Sequence, residues 1–192
     1  MNIDLELINA CLKKNRKAEF TLYQKCYALL LSVCFRYEHN KSDADHVLNK
    51  AFLKILNKLH TYNLNVPFEA WIRRIMINTI IDEYRRAKKN AHVITIEEIA
   101  SLGHLDAVVD MNDATKKFNE RDLLRMLENL PTVSKQVFNL FAIDGYPHKE
   151  IAEMLNMSEG TSKWHVSFAR KKLREMIQTN EEREQKRMKG LE

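Results

Sequence analysis

The chain has 192 residues, with 31 Lys and Arg, 26 Asp and Glu and a formal net charge of +5 at pH 7, a length that suffices for one medium domain or two small ones. Its three cysteines form no C-x-x-C pair, which argues against a disulfide framework and predicts reduced thiols. No basic and apolar leader opens the sequence and no apolar run approaches the about 20 residues of a membrane span, so we expect a cytoplasmic protein without membrane insertion.

Helical periodicity dominates the sequence, since apolar residues recur at spacings of three and four and strand-like alternation is scarce. The period predicts four helices in the first half, near 3–14, 17–37, 42–60 and 67–89, and two more at 119–130 and 132–144. Pro67 suits a first helical turn, where its missing N–H costs nothing, and Gly145 suits the residue after a helix end. We therefore predict an all-α fold.

Two helical domains are expected, because the helical period fails between these two groups of helices. The predicted boundaries are 1–90 and 118–178 for the domains, 91–117 for a flexible linker and 179–192 for a polar tail. Within the linker, residues 95–113 carry five acids and no Lys or Arg, which gives a net charge of −5. The tail is almost wholly polar, so we expect it to be frayed or disordered.

Residues 148–173, HKEIAEMLNMSEGTSKWHVSFARKKL, predict two short helices joined by a tight turn. Asn156 tolerates the positive φ of such a turn, and Ser158 is a natural N-cap for the second helix. Helices joined in this way form a helix-turn-helix, whose second helix enters the major groove of DNA with its N-terminal end toward the bases. In the second helix, the residues predicted to contact base edges are Thr161, Ser162, Lys163 and His165. Those predicted to contact phosphates are Arg170, Lys171 and Arg174.

Two cationic segments flank the acidic linker. Residues 71–92 carry six cations and two acids, and residues 159–174 carry five cations and one acid, so each segment has a net charge of +4. Such segments suit a polyanionic partner, and two solvated helix faces are the alternative interpretation. For residues 148–173 that alternative is an ordinary helical hairpin with a cationic face.

The first cationic segment lies on the predicted helix at 67–89, on the side opposite its apolar stripe. At spacings of about four, this helix places guanidinium groups, an amide and a carboxylate along one ridge. Such groups can hydrogen-bond exposed bases and hold phosphates. The residues predicted to bind DNA in this way are Arg74, Asn78, Asp82, Arg85 and Arg86 on the ridge, together with Arg73 and Lys88 of the same segment.

Three stretches of the chain follow a known pattern, namely DADHVLNKAFLKIL (43–56), FEAWIRRIMINTIIDEYRRAKK (68–89) and LPTVSKQVFNLFAIDGYPHKEIAEMLNMSEGTSKWHVSFARKKL (130–173). They resemble the bacterial sigma-70 family of RNA polymerase sigma factors, and within it the extracytoplasmic-function (ECF) group. They cover both predicted domains in the order of the family, with no middle domain between them. The resemblance implies a region 2 domain that binds core polymerase and the −10 element, followed by a region 4 domain that binds the −35 element.

The resemblance also implies a function, partners and site residues. The protein would bind core RNA polymerase and promoter DNA, direct promoter recognition, DNA melting and transcription initiation, and be restrained by an anti-sigma protein. Contacts with the −10 element are implied for Arg74, Asn78 and Asp82. Contacts with core polymerase are implied for four residues of the helix at 42–60, namely Asp43, Asp45, Asn49 and Phe52.

The chain departs from the family pattern at both kinds of contact. The polymerase-docking helix of the family commonly has Asp, Gln and Glu where this chain has His46, Asn49 and Lys50. In the recognition helix, an apolar residue, Ser, Arg and Arg are common where this chain has Ser162, Trp164, His165 and Phe168. The −35 sequence therefore does not follow from the resemblance. For Trp164 and Phe168, inward packing ranks ahead of contact with thymine methyls or with a partner.

Other classes of protein fit the sequence less well. Four scattered glycines cannot form a G-x-G-x-x-G loop or a P-loop, and the seven histidines form no H-E-x-x-H motif. No Cys and His residues have metal-ligand spacing, so we expect no metal site. Because the sequence also lacks these catalytic and nucleotide-binding motifs, we expect no enzyme activity, cofactor or small-molecule substrate. A stand-alone helix-turn-helix regulator that binds duplex DNA by itself accounts for residues 148–173, but it does not account for the ridge on the helix at 67–89.

Overall fold

The computed structural model describes residues 3–37, 41–90 and 125–188. These residues form helices and turns without a strand, and the chain divides into two compact units, Met1–Val93 and Ile94–Glu192. The predicted all-α fold with two helical domains is therefore confirmed. The predicted linker and the first part of the helix at 119–130 lie outside the described residues.

Within residues 3–37 and 41–90, the first unit contains four α-helices and a short 3₁₀ turn. They are α1 (Leu5–Leu12), α2 (Arg16–Phe35), α3 (Lys41–Lys58), the 3₁₀ turn (Leu59–Thr61) and α4 (Phe68–Asn90). Asn15 begins α2 as a side-chain cap, since its Oδ1 accepts hydrogen bonds from the N–H groups of Lys17 and Ala18 at 3.0 and 3.2 Å. These helices match the four predicted ones, with ends that differ by a few residues.

The core of the first unit lies where α2, α3 and α4 pack together. Its largest fully buried side chains are Leu22, Leu30, Leu48, Ile55, Ile72, Met76 and Ile80. Burial of an aliphatic side chain of this size contributes about 1.5–3 kcal/mol. The same core buries Cys11, Cys26 and Cys34, none of which forms a disulfide. The apolar stripe of α4 therefore faces inward, and its polar ridge is left on the outside.

The described part of the second unit begins with helical residues 125–128 and continues with α5 (Thr132–Phe138), α6 (His148–Leu155) and α7 (Glu159–Met188). A π-helical turn, Asn139–Ile143, extends α5, and the N–H of Asp144 donates to the carbonyl of Asn139 at 2.9 Å. Gly145 follows with φ of 74°, which agrees with its predicted place after the helix end. Leu127, Leu140, Ile151 and Leu173 are the largest apolar side chains fully buried here.

The polar tail does not behave as its composition predicts. We expected disorder beyond residue 179, and α7 continues to Met188. Residues 180–188 are rich in Glu, Gln, Lys and Arg, which have high helix propensity. Because α7 is already nucleated by its packed first half, these residues extend it without a new nucleation cost.

In the three ranges that the structure describes, no helix has the length and apolar content needed to span a membrane.

Candidate nucleic-acid interfaces

The turn between α6 and α7 has the geometry predicted for a helix-turn-helix. Helix α6 ends at Leu155, and Asn156 adopts the left-handed conformation with φ of 53° and ψ of 57°. Ser158 caps α7, since its Oγ accepts the N–H of Thr161 at 3.0 Å. The Thr161 hydroxyl also bonds to this Oγ, at 2.8 Å, so Thr161 belongs to the cap of the recognition helix.

Two of the residues expected to contact bases point into the protein. Ser162 is fully buried and its Oγ lies 2.9 Å from Nδ1 of His148 on α6. His165 is 2% exposed and its Nδ1 lies 2.9 Å from Oγ of Ser134 on α5. Burial lowers the pKa of His165 to about 4, so the ring is neutral at physiological pH. Both side chains bond to neighbouring helices inside the unit, so the base contacts of Ser162 and His165, which stay a prediction, would require them to leave these bonds.

The solvent-facing side of α7 carries a different set of polar groups. Lys163 and Lys171 are exposed, and Ser167 and Arg174 are half-buried between and beyond them. Their spacings of four, four and three residues place all of them on one face of the helix. The sequence reasoning missed Ser167, although its distance of four residues from each lysine is a signal that could have found it.

Trp164 and Phe168 lie beside this face and stack on each other. Their ring centroids are 5.2 Å apart with an interplanar angle of 17°, and both side chains are half-buried. They therefore pack against one another and keep part of their surface in solvent. Contact with thymine methyls or with a partner stays a prediction.

Arg170 is held at the other edge of α7 by aromatic rings. Its guanidinium carbon lies 5.8 Å from the ring centroid of Phe141, which stacks on His148 at 4.3 Å. Burial and the nearby charge of Lys163 lower the pKa of His148, so its ring stays neutral beneath this cation. The predicted phosphate-binding Arg170 thus lies over the ring of Phe141, in the π-helical turn.

On α4, the predicted ridge lies on the solvent side. Arg74, Asn78, Arg85 and Arg86 are exposed, Arg73 is half-buried, and the side chain of Lys88 lies outside what the structure describes. Asp82 differs from these, because its Oδ2 lies 2.8 Å from Nζ of Lys54 on α3. The next residue, Glu83, bonds to Lys50 of α3 at 2.8 Å and to Arg86 at 2.9 Å. Exposure makes the cations of the ridge accessible to DNA, and the two acids are held in ion pairs.

The predicted polymerase contacts on α3 divide between the two sides of the helix. Asp43 and Asn49 are exposed, and Asn49 Oδ1 accepts the Tyr23 hydroxyl at 3.1 Å. Asp45 is half-buried and accepts the Tyr27 hydroxyl at 3.2 Å. Phe52, the fourth predicted contact, differs from these three residues because it is buried.

Phe52 is only 8% exposed, and its ring meets Tyr23 edge-on at a centroid distance of 5.0 Å. Because Tyr23 of α2 packs on its ring, Phe52 offers little surface to polymerase, and its direct contact stays a prediction. The neighbouring Leu53 is 60% exposed and lies four residues after Asn49, on the same face of α3. In the sequence, Leu53 cannot be told from the apolar core residues of α3, so it was not predicted as a contact.

Among the described residues, no group of three or more His, Cys, Asp or Glu side chains is arranged to hold a metal ion. The chemistry that these surfaces offer is binding through cations, amides, hydroxyls and aromatic rings.

Comparison with known proteins agrees with the division into two units. Residues 22–90 match the family Sigma-70 region 2, and residues 120–173 match the family Sigma-70, region 4. The ECF RNA polymerase sigma factor SigM of Mycobacterium tuberculosis is 25% identical over 174 residues, which cover 91% of this chain and 84% of SigM. The ECF RNA polymerase sigma factor SigW of Bacillus subtilis is 25% identical over 154 residues, which cover 77% of this chain and 82% of SigW.

A solved structure also aligns with the chain. It contains the sigma factor RpoE in complex with the anti-sigma factor NepR from Bartonella quintana. The TM-score is 0.49 and the sequence identity is 16%, over 82% of this chain and 97% of that chain.

Proposed function

We infer that this protein directs RNA polymerase to promoters, on the premise that the chain belongs to the sigma-70 family and, within it, to the ECF group. As a sigma factor it binds core RNA polymerase and acts in promoter recognition, DNA melting and transcription initiation. Core polymerase and promoter DNA are therefore its partners.

One observation carries this conclusion, namely that both sigma-70 regions match in order on two separate helical units. A stand-alone helix-turn-helix regulator requires only the second unit. It gives no reason for a region 2 match on the first unit, or for the exposed cationic ridge of α4. The sigma-factor function accounts for both units, so it is favoured over the regulator.

We propose that each partner has its own surface. The exposed Arg74, Asn78 and Arg85 on α4 suit unpaired bases and phosphates of the −10 element. The face of α7 with Lys163, Ser167, Lys171 and Arg174 suits the major groove of the −35 element. The exposed side of α3, with His46, Asn49 and Leu53, suits core polymerase.

We propose further that the protein is not itself an enzyme and works in the cytoplasm, where RNA polymerase is found. Sigma factors position DNA on a polymerase that supplies the chemistry. An anti-sigma protein is the expected regulator, as the family resemblance implies.

The test of this function is dependence on core polymerase. Each cationic segment has a net charge of only +4, so each offers few phosphate contacts. A few such contacts give weak and salt-sensitive binding, with nonspecific dissociation constants of about 10⁻⁴ to 10⁻⁶ M. When polymerase holds both units, the second contact becomes effectively intramolecular, which raises avidity by about 10²–10⁴-fold. We therefore expect weak binding of the free protein to promoter duplex and tight binding of the complex.

The measurement is a titration of a fluorescent promoter duplex at one stated salt concentration, with the free protein, with core polymerase alone and with both. Transcript formation is measured in the same three mixtures. Nanomolar, sequence-specific binding by the free protein, with neither affinity nor transcription added by core polymerase, would establish the stand-alone regulator instead.

A further inference from the structure

Two ion pairs join α3 to α4 in the first unit. Nζ of Lys54 lies 2.8 Å from Oδ2 of Asp82, and Nζ of Lys50 lies 2.8 Å from Oε2 of Glu83. The two lysines are four residues apart on α3, and the two acids are neighbours on α4. Both pairs therefore bridge the same helix contact, beside the core and within reach of water.

The two acids held in this way are the only acids in residues 71–92, the cationic segment that contains the ridge. A carboxylate released among Arg74, Arg85 and Arg86 would attract those guanidinium groups and repel phosphate. At a separation of 4 Å, two unit charges interact by about 1 kcal/mol in water and more strongly near a protein surface. Lys54 removes this competition at Asp82, whereas at Glu83 Lys50 occupies one carboxylate oxygen and Arg86 of the ridge the other.

The pair at Glu83 also fixes a cation. Glu83 Oε1 accepts Arg86 Nη1 at 2.9 Å, while the other oxygen accepts Lys50. The hydrogen bond from Lys50 keeps the pKa of Glu83 below its usual range, so the carboxylate is charged at neutral pH. Asp82 is more exposed than Glu83, at 46% against 21% of the side chain, so it is the acid that could turn toward DNA.

We propose that Lys54 is a positioning residue for DNA recognition, because it holds the carboxylate of Asp82 against α3 and away from the DNA-facing ridge of α4. Asp82 then acts through this ion pair and makes no contact with DNA. Lys50 joins Glu83 to α3 in the same helix contact, and the second oxygen of Glu83 binds Arg86. The inference rests on the proposed function, since it takes the ridge of α4 as a DNA-binding surface.

The experiment compares Lys54→Met, Asp82→Asn, their double variant and Lys54→Arg with the unmodified full-length chain. The probe is a fluorescein-labelled, mixed-sequence, single-stranded DNA 20-mer, and its affinity is measured by anisotropy over a series of salt concentrations. We expect Lys54→Met to bind about three- to tenfold more weakly, since one carboxylate is released onto the ridge. Asp82→Asn should restore the affinity of the Lys54→Met protein to within about twofold, and Lys54→Arg should match the unmodified chain.

Lys58→Met is the matched control, because Lys58 is an exposed lysine on the same helix and its loss changes the net charge equally. In that background Asp82 is still held by Lys54, so adding Asp82→Asn should change affinity by less than about twofold. The slope of log affinity against log salt adds a readout that loss of stability alone does not move. The magnitude of this negative slope should decrease by about 0.7 in Lys54→Met, which is the value of one single-strand phosphate contact. It should recover in the double variant.

Three results would overturn the inference. Weaker binding by Asp82→Asn alone would mean that Asp82 contacts DNA. If Asp82→Asn raises DNA affinity equally in the Lys54→Met and Lys58→Met backgrounds, net charge alone determines the affinity. Unchanged binding by Lys54→Met, with only a lower melting temperature, would mean a purely structural pair. Transcription by the unmodified chain with core polymerase is measured separately, so failure of the proposed function is distinguished from failure of this inference.

Discussion

His165 and Ser134 form a buried polar pair that ties α7 to α5, with 2.9 Å between Nδ1 and Oγ. Both side chains are at most 2% exposed, and burial lowers the pKa of His165 from 6.5 to about 4. As pH falls, the unfolded chain therefore binds a proton before the folded chain does. The contribution of a neutral His165 to stability is complete above about pH 6.5 and is lost as pH approaches 4.

We expect the second unit to lose about 3 kcal/mol of unfolding free energy between pH 6.5 and 4 through His165 alone. Urea unfolding at several pH values, followed by Trp164 fluorescence in a Trp71→Phe background, measures this loss. The control is the double variant Ser134→Ala with His165→Leu, which removes both partners and leaves neither polar atom unsatisfied. Carboxylates titrate equally in both proteins, so the two pH profiles should diverge below pH 6.5. Parallel profiles would show that His165 is already protonated in the folded unit.

Position along a helix was a poorer guide to single residues than the face on which they lie. The predicted base contacts of Ser162 and His165 rest on their place near the start of the recognition helix. Both residues lie four residues before Val166 and Ala169, which are buried, so they share the inward face. A pattern that counts only apolar residues does not show that these two polar residues lie on the inward face. The ion pair of Lys54 with Asp82 could not be foreseen in the same way, because its partners are 28 residues apart and meet only when α3 packs on α4.

At the scale of elements, the turn between α6 and α7 depends on one exposed residue, Asn156, with φ of 53°. A left-handed conformation costs an ordinary residue roughly 1–2 kcal/mol, and Asn and Gly much less. Asn156→Val should therefore destabilise the second unit by about 1–2 kcal/mol, and Asn156→Gly should change its stability by less than about 0.5 kcal/mol. Urea unfolding measures both. Equal losses in the two variants would mean that the Asn side chain, and not its backbone conformation, stabilises the turn.

The elements themselves were largely predictable, and the exceptions have physical causes. Spacings of three and four located α1 to α4 and the helix-turn-helix, and Asn156, Ser158 and Gly145 marked their ends as expected. The π-helical turn at Asn139–Ile143 was not predicted, since it keeps the apolar spacing of an ordinary helix end. The extension of α7 to Met188 was missed because polar composition predicts disorder for an isolated segment, whereas this segment continues a packed helix.

At the scale of the whole molecule, charge alternates along the chain, with +4 in residues 71–92, −5 in residues 95–113 and +4 in residues 159–174. The two cationic segments suit DNA, so the acids between them require a different explanation. In the sigma-70 family the interdomain linker is expected to thread a positively charged channel of the polymerase. The acids could then imitate nucleic acid in that channel, or they could simply keep a tether in solution.

We predict that the acidic linker contributes to binding of core polymerase. Replacement of its five acids by the matching amides keeps the length of the linker and removes its charge. The substitutions are Glu97→Gln, Glu98→Gln, Asp106→Asn, Asp110→Asn and Asp113→Asn. An exposed ion pair contributes about 0.2–1 kcal/mol, so loss of five should weaken binding of core polymerase at least about fivefold. Fluorescence titration of the labelled protein with core polymerase measures this change.

A matched variant separates the linker from the effect of overall charge. Five exposed acids outside the linker are replaced by amides, namely Asp4, Glu6, Glu128, Glu153 and Glu182. This variant has the same net charge as the linker variant, so general attraction to DNA rises equally in both. If the linker acids imitate nucleic acid, only the linker variant binds core polymerase more weakly. Only this variant also alters the release of early transcripts, because it lacks the acids that compete with nucleic acid for the channel. If both variants initiate and release transcripts like the unmodified protein, the linker is a tether whose acids serve solubility, and its charge has no part in initiation.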